Sequence, residues 1–583
     1  MLFKMKPHQR YGRLWAKGLC AAIMGFSLFS CKETKSVEKS ADPITLFHGG
    51  TIMTVDTDFS EVEAVAIQGK KIVATGSLEA VESSVGKEVT KIDLQGKTML
   101  PGFVDPHAHI MTFAPVFLAT ENVGMTEFAN TEKVLAHLKK MASEKPKGEW
   151  IVASRWDPAV QDGVEALTFK ELDAISTEHP IFILNASGHL AYVNSKAYEV
   201  AGIPADVENP EGAEFVRDES GKLNGVIKNN VAFMQIYGQI PAVANLDFSE
   251  AIVKLLNSFN SFGITTTSEF SLGATMQSAE EAQVLFETSK RDDFSARIRA
   301  YPFYTINDKW TEAGTKMYDG NALAKIVGFK LIADGSNQGF TGLQRDGYFD
   351  PHQHGNSGVE YMSVSELMRI AEQRTKEGWQ LTIHGNGDKA IDNILTVIDS
   401  LAKKGYDVAS LRPRIEHCSI LHDEQIEKMK ALGVSASFLI GHVNYWGTHM
   451  RDKVFGPEKV QLLDRCAAVE KAGINYTVQS DFAVTDPNIL QMIETTVTRT
   501  TYKEPDYVLA PQEKVSVESA IRAVTSSAAW QLMSEDEFGS IEKGKFADLV
   551  ILEKDPRKVD PHQISEIQVL ETWMDGRKVY SKE

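Results

Sequence analysis

Between Phe103 and Gln479 the chain carries eight short apolar runs, separated by amphipathic stretches of helical periodicity. The runs are Phe103 to His107, Ile264 to Phe270, Arg297 to Phe303, Ile326 to Ile332, Gln380 to His384, Arg412 to His417, Val434 to Leu439 and Asn475 to Gln479. Strands that alternate with helices in this way belong to a parallel sheet or barrel. Eight of them fit a closed cylinder, so the expected fold class is α/β, a (β/α)8 TIM-like barrel over residues 101–534. Gly263, Gly378, Gly433 and Gly473 each close a helix-like stretch shortly before a run, where the left-handed terminal position suits glycine.

Two further regions fall outside this pattern. Residues from about 110 to 262 far exceed one crossover connection, which predicts a subdomain inserted after the first barrel strand. Within it, Glu214-Phe215-Val216-Arg217 and Gly225-Val226-Ile227 flank the turn Asp218 to Gly221 as a hairpin. Segments 44–100 and 535–583 alternate short β-rich runs with turns, as in Ala64 to Gly76 around Gly69-Lys70-Lys71. Together they predict a small β-sandwich domain built from both chain ends.

The first 30 residues have the order of a secretory leader: Lys4, Lys6, Arg10, Arg13 and Lys17, then an apolar run from Gly18 to Phe29. That run is short for a membrane span. It ends in Leu28-Phe29-Ser30-Cys31, which resembles a bacterial lipobox, so Cys31 is the expected lipidation site and residues 31–43 a polar tether. The bland alternative is a plain signal peptide with a chance cysteine. A lipid anchor implies a membrane-attached protein of the bacterial cell envelope, outside the cytoplasm. Formal charge is -18, and losing five leader cations makes the mature chain more acidic still. Attachment must then come from lipid rather than from attraction to anionic head groups, and nucleic acid is excluded as a partner. Only Cys418 and Cys466 remain beyond the lipobox, too few for a disulfide framework, and both read as buried small hydrophobes.

Candidate chemistry gathers at the ends of the runs. His107 and His109 sit two apart at the end of the first, so both side chains point one way, toward the mouth where barrel sites lie. Such a pair arises easily by chance. It gains weight from His384 after the fifth run, His417 after the sixth and Asp481 after the eighth. Lys330 lies inside the fourth run, where a charge is costly unless paired or modified; the bland reading pairs it with Asp334.

These residues carry a resemblance to the amidohydrolase superfamily, and within it to amidohydrolase family 3, the group that includes N-substituted formamide deformylases. It rests on Leu100-Pro101-Gly102-Phe103-Val104-Asp105-Pro106-His107-Ala108-His109, on the Lys330 strand with Asp334-Gly335, on Ile383-His384, on Arg414-Ile415-Glu416-His417 and on Ser480-Asp481. Gly539 to Leu549 is similar to the family's closing signature. The resemblance implies a divalent metal, zinc or a similar borderline ion, with one or two ions bound. His107, His109 and Asp481 would hold one, His384 and His417 a second, and Lys330, N-carboxylated by CO2, would bridge them. The implied reaction is attack of a metal-activated hydroxide on a non-peptide C–N bond of a small amide-type substrate, such as an N-substituted formamide, with Asp481 as the catalytic base. His189, in Ser187 to Ser195, matches a family segment and is a candidate substrate contact or, equally, a structural histidine. Gly385-Asn386-Gly387-Asp388 and Phe482-Ala483-Val484 depart from the family pattern in loops that line the mouth.

Rival readings fare less well. Gly539 to Lys545 almost spells a phosphate-binding loop, but Phe546 stands where Ser or Thr would be needed. No Gly-x-Ser-x-Gly elbow and no His-Glu-x-x-His segment occurs. The runner-up is a catalytically weak lipoprotein on the same fold with a binding or regulatory role, against which the full ligand set argues. Among enzymes, the same chemistry also suits cyclic amides, dipeptides or esters. A homo-oligomer is compatible with the sequence.

Overall fold

The structure is a computed structural model, which describes residues 42–582 apart from 87, 189, 211, 212 and 245. The leader, Cys31 and nearly all of the tether lie outside the described residues.

The barrel strands, numbered in chain order, are β1 (Phe103–Val104), β2 (Ile264–Leu272), β3 (Arg297–Pro302), β4 (Phe329–Ile332), β5 (Leu381–Gly385), β6 (Arg414–His417), β7 (Ser435–Phe438) and β8 (Tyr476–Val478). β4 is preceded by a separate short strand, Ala324–Ile326. All ladders are parallel, with Ile264 opposite Phe103, Thr266 opposite Arg297, Phe329 opposite Leu381, Thr382 opposite Arg414, Arg414 opposite Ser435 and Ala436 opposite Tyr476. The four-stranded and five-stranded halves meet at both seams, through a parallel bridge from Phe303 to Lys330 and another from Ala108 to Phe482. The predicted first run continues as a ladder strand only to Val104, and the fourth is interrupted at Val327-Gly328, between Ala324–Ile326 and β4. A side chain at Gly328 would meet the Tyr301 ring at 2.4 Å, so the close approach of β3 there leaves room only for glycine.

The helices between strands behave as their spacing predicts. Asp388–Lys403 buries Ile391, Ile394, Leu395, Ile398 and Leu401, an i, i+3, i+4, i+7 stripe laid against the barrel. Gly263, Gly378, Gly433 and Gly473 all have φ between 68° and 81°, the left-handed geometry that ends the preceding helical turn.

Outside the barrel, the two chain ends join one eight-stranded sheet. Strand Leu549–Leu552 runs antiparallel to Thr98–Pro101, and Ile44–Met53 continues the sheet from there. Phe47, Ile52, Ile67, Met99, Leu549 and Trp573 fill its core. The turn that resembles the closing signature is stitched to this sheet by Ile72 N–H donating to Lys545 O and Ala547 N–H to Lys70 O. Arg297 of β3 is fully buried and binds Asp548 at 2.8 Å and Asp575, so one cation ties the barrel to the end sheet. The insertion after β1 forms a six-stranded sheet in which Glu214–Arg217 and Leu223–Lys228 make the expected antiparallel hairpin. Cys418 and Cys466 are both buried free thiols.

Candidate metal centre

β1 pairs in a ladder only as far as Val104, but the chain keeps its alternation beyond it through bridges from Ala108 to Phe482 and from His109 to Glu269. His107 and His109 therefore stay in register with the ends of β8 and β2. The Nε2 atom of His109 is 3.1 Å from Asp481 Oδ1, and that of His107 is 3.6 Å from the same oxygen. Ligand atoms of His107, His109 and Asp481 all fall within 4.8 Å of one another.

The outer nitrogens fix the rings. His107 Nδ1 lies 2.7 Å from Glu416 Oε2, while Arg414 grips the same carboxylate at 2.9 and 3.0 Å, and Phe270 stacks on the ring at 4.0 Å. His109 Nδ1 lies 3.0 Å from Ser271 Oγ, which donates in turn to Glu269. An imidazole whose Nδ1–H is held by an acceptor presents Nε2 as a lone pair, the usual support for a metal ligand. Asp105, from the same motif, accepts from the Ser480 hydroxyl and so fixes the turn that carries Asp481. His417, Cys418 and Asp481 have φ of 66°, 49° and 49°, uncommon values for non-glycine residues that concentrate at this mouth.

His417 is buried with its Nδ1 3.3 Å from the Gln479 amide and 4.0 Å from Asp481 Oδ2. His384 and His417 rings are 4.4 Å apart. His384 Nε2 approaches Gly335 O and Asn386 Nδ2, each at 3.0 Å. Lys330 is buried, its Nζ 5.1 Å from the Phe270 ring centre. It is not the partner of Asp334, contrary to the bland expectation. The Asp334 carboxylate is taken by the backbone N–H groups of Leu343, Asn386 and Gly387 at 2.8 to 2.9 Å, so it fastens loops rather than neutralising the lysine.

Electrostatics follow from burial. It pushes the Lys330 ammonium down to about 8, against the pull of Glu416 and Asp481. It also holds His107 and His417 well below the ordinary imidazole value, so both are neutral. For Asp481 burial favours the neutral acid, but the His109 contact and the Lys330 cation outweigh it and keep the carboxyl ionised below its usual range. Neutral imidazoles and an ionised carboxylate are the forms that bind a cation. Among the described residues, His107 Nε2, His417 Nε2 and Lys330 Nζ are buried here without a hydrogen-bond partner, and Asp481 Oδ1 has only the His109 contact. Unsatisfied buried polar atoms are rare, and their gathering among nitrogen and oxygen donors fits a borderline divalent metal.

These residues line a cavity of about 280 Å³ at the barrel mouth, with Ser336, Gln338, Tyr361 and His442 among its other walls. His189 lies outside the described residues; its neighbours Ser187 and Gly188 line the cavity. Glu416, Arg414, Glu269 and Ser271 were not singled out from sequence as parts of the site. The available signal was charge inside apolar strands, which marks groups that must find buried partners.

Comparison with known proteins decides the family. A model of the amidohydrolase family matches residues 90–580. The chain belongs to the amidohydrolase family. Among relatives, this amidohydrolase is 26% identical to the N-substituted formamide deformylase of Arthrobacter pascens, with 91% of this chain and 97% of that protein covered. It is also 26% identical to Protein LONG AFTER FAR-RED 3 of Arabidopsis thaliana, over 92% and 91% of the two chains. A metal-dependent hydrolase of known structure from Pyrococcus horikoshii OT3 superposes with a TM-score of 0.69 at 25% identity, over 89% of this chain and 99% of that one. The protein is thus a metal-dependent hydrolase of carbon–nitrogen bonds, with a barrel and an additional domain.

Proposed function

We propose that this amidohydrolase hydrolyses an N-substituted formamide or a related small amide, with zinc held by His107, His109 and Asp481 and a second ion by His384 and His417. The observation that carries this reading is the convergence of ligand atoms of His107, His109 and Asp481 within 4.8 Å at the mouth of the barrel, with both Nε2 atoms turned to Asp481 Oδ1 at 3.6 and 3.1 Å. A bound divalent ion would supply there a water acidified to a pKa of roughly 7 and polarise the substrate carbonyl. The chain's own groups do the rest. Asp481, kept ionised, accepts the proton of the attacking water at Oδ1 or Oδ2 and returns it to the leaving nitrogen. Glu416 and Ser271 keep the two imidazoles oriented. Lys330, whose ammonium is weakened by burial, is the amine in this site suited to N-carboxylation: after giving up a proton it could add CO2 with release of a second, and the resulting carbamate would supply a further oxygen donor to bound metal.

On the sequence evidence of the lipobox, the mature chain is anchored through lipid on Cys31 in the bacterial envelope. Metabolic labelling with a fatty acid tests this: label should enter the wild type and be absent from Cys31→Ser. The catalytic reading is tested by metal analysis of the signal-free protein and its Lys330→Ala variant, both purified without chelator, alongside turnover of formamides. Two zinc-like ions falling to one or none in the variant, with hydrolysis by the wild type, are expected. A metal-free wild type would favour a binding or regulatory role.

A further inference from the structure

Behind the turn that carries Asp481 lies a second cavity, also of about 280 Å³. Phe113, Leu184, Phe259, Phe262 and Phe482 supply most of its wall. Its charged groups pair with each other, and several of its polar groups are engaged. Arg155 pairs with Asp486, whose other oxygen accepts from Thr126; Asn185 Nδ2 donates to Trp156 O and Tyr192 Oη; Thr120 Oγ1 donates to Val116 O. Arg155 and Asp486 neutralise each other and apolar side chains make up most of the wall, so a neutral apolar group suits the cavity better than an ion. An apolar cavity of about 150 Å³ accommodates benzene, so this one has room for an aromatic or branched aliphatic group.

Its position relates it to the metal centre. Phe113 lines both cavities, with its ring 6.3 Å from that of His109. Asp481 faces the metal cavity, while Phe482 and Ala483, the next residues, face the second one. Asp481 is also the group that returns a proton to the leaving nitrogen, so the substituent on that nitrogen lies on its side of the mouth.

We propose that this second cavity is the subsite for the N-substituent of the substrate, selecting amides that carry a neutral aryl or bulky alkyl group on nitrogen. This rests on the amide reading above and adds to it the class of substituent. The test compares N-benzylformamide with N-methylformamide on the zinc-loaded enzyme, and on Ala186→Trp and Leu184→Phe, two substitutions that fill the cavity. The wild-type ratio of kcat/KM should favour the benzyl compound by roughly ten- to a hundredfold, the worth of burying one aromatic group. Each filling variant should lower that ratio at least about tenfold, a readout that general damage to the fold would not shift. Binding of 4-fluorotoluene, followed by fluorine NMR, reports on the cavity without catalysis: the wild type should bind it and both variants should not. An unchanged ratio, or equal probe binding by filled and unfilled proteins, overturns the assignment. Probe binding by the wild type alone, with no formamide turned over, supports the apolar subsite and strikes instead at the amide reading.

Discussion

The two sides of the barrel mouth hold their candidate ligands differently. Where β1 meets β8, His107 and His109 hand their Nδ1 atoms to Glu416 and Ser271, and both Nε2 atoms converge on Asp481. Where β5 meets β6, His384 places its Nε2 against Gly335 O and Asn386, and the adjacent Lys330 keeps a buried amine without a partner. The first side is arranged by the fold itself. Both sides carry buried polar atoms without a partner, but on the second one of them is an amine, whose burial costs about 1–3 kcal/mol or more until something binds it. A site of this kind should take its ions unequally, the first tightly and the second in a manner coupled to Lys330.

The largest test separates the sides directly. His107→Ala should remove the tightly held ion and all measurable turnover, whereas His384→Ala should retain about one equivalent, because the converged group it leaves untouched binds metal unaided. Metal content by mass spectrometry decides; if His384→Ala empties both positions, the sides are not separable.

Next in size is the group that joins them. Asp481→Asn keeps an oxygen near the imidazoles but cannot accept a proton, so turnover should fall roughly 10²- to 10⁴-fold while most of the metal stays. Near-native kcat in that variant would assign the base elsewhere.

A smaller effect is expected from the support of the converged side. Glu416→Gln preserves shape but weakens the hold on His107, and loss of such a partner costs about 10- to 100-fold in metal affinity. Competition with a chelator of known affinity measures it. The matching change at Ser271, to Ala, should cost less, since a neutral hydroxyl orients His109 more weakly than a carboxylate orients His107.

Much of this difference could not be read in the sequence. The strand ends are legible because apolar runs and glycine stops are local features, and so His107, His109, His384, His417 and Asp481 fall where barrel geometry sends them. Partner choice is not local. Glu416 reaches a histidine 309 positions earlier, and Asp334 binds three amides on loops that follow it rather than the lysine four residues before it. The proximity of Asp334 to Lys330 along the chain was the misleading cue. In a strand, residues four apart lie on one face but some 13 Å distant, given about 3.3 Å per residue. The second cavity was equally hidden, because its walls come from β1's following helix, the insertion and the loop after β8.

The smallest effect concerns Lys330 in metal-free protein. In the unfolded chain its ammonium persists to a pKa near 10.4, whereas burial lowers it in the folded chain to about 8. Between those values the unfolded state binds more protons, so stability rises with pH; below about 8 the penalty is present in full. From pH 7.5 to 9.5 this should add about 2 kcal/mol to the unfolding free energy of chelator-treated enzyme. Lys330→Met keeps the bulk and removes the titration, so its stability should lose that rise over the same interval. Denaturant unfolding of both proteins at the two pH values measures the difference. Equal slopes would mean that the amine already has a partner in the metal-free state, and the contrast between the two sides of the mouth would then rest on the imidazoles alone.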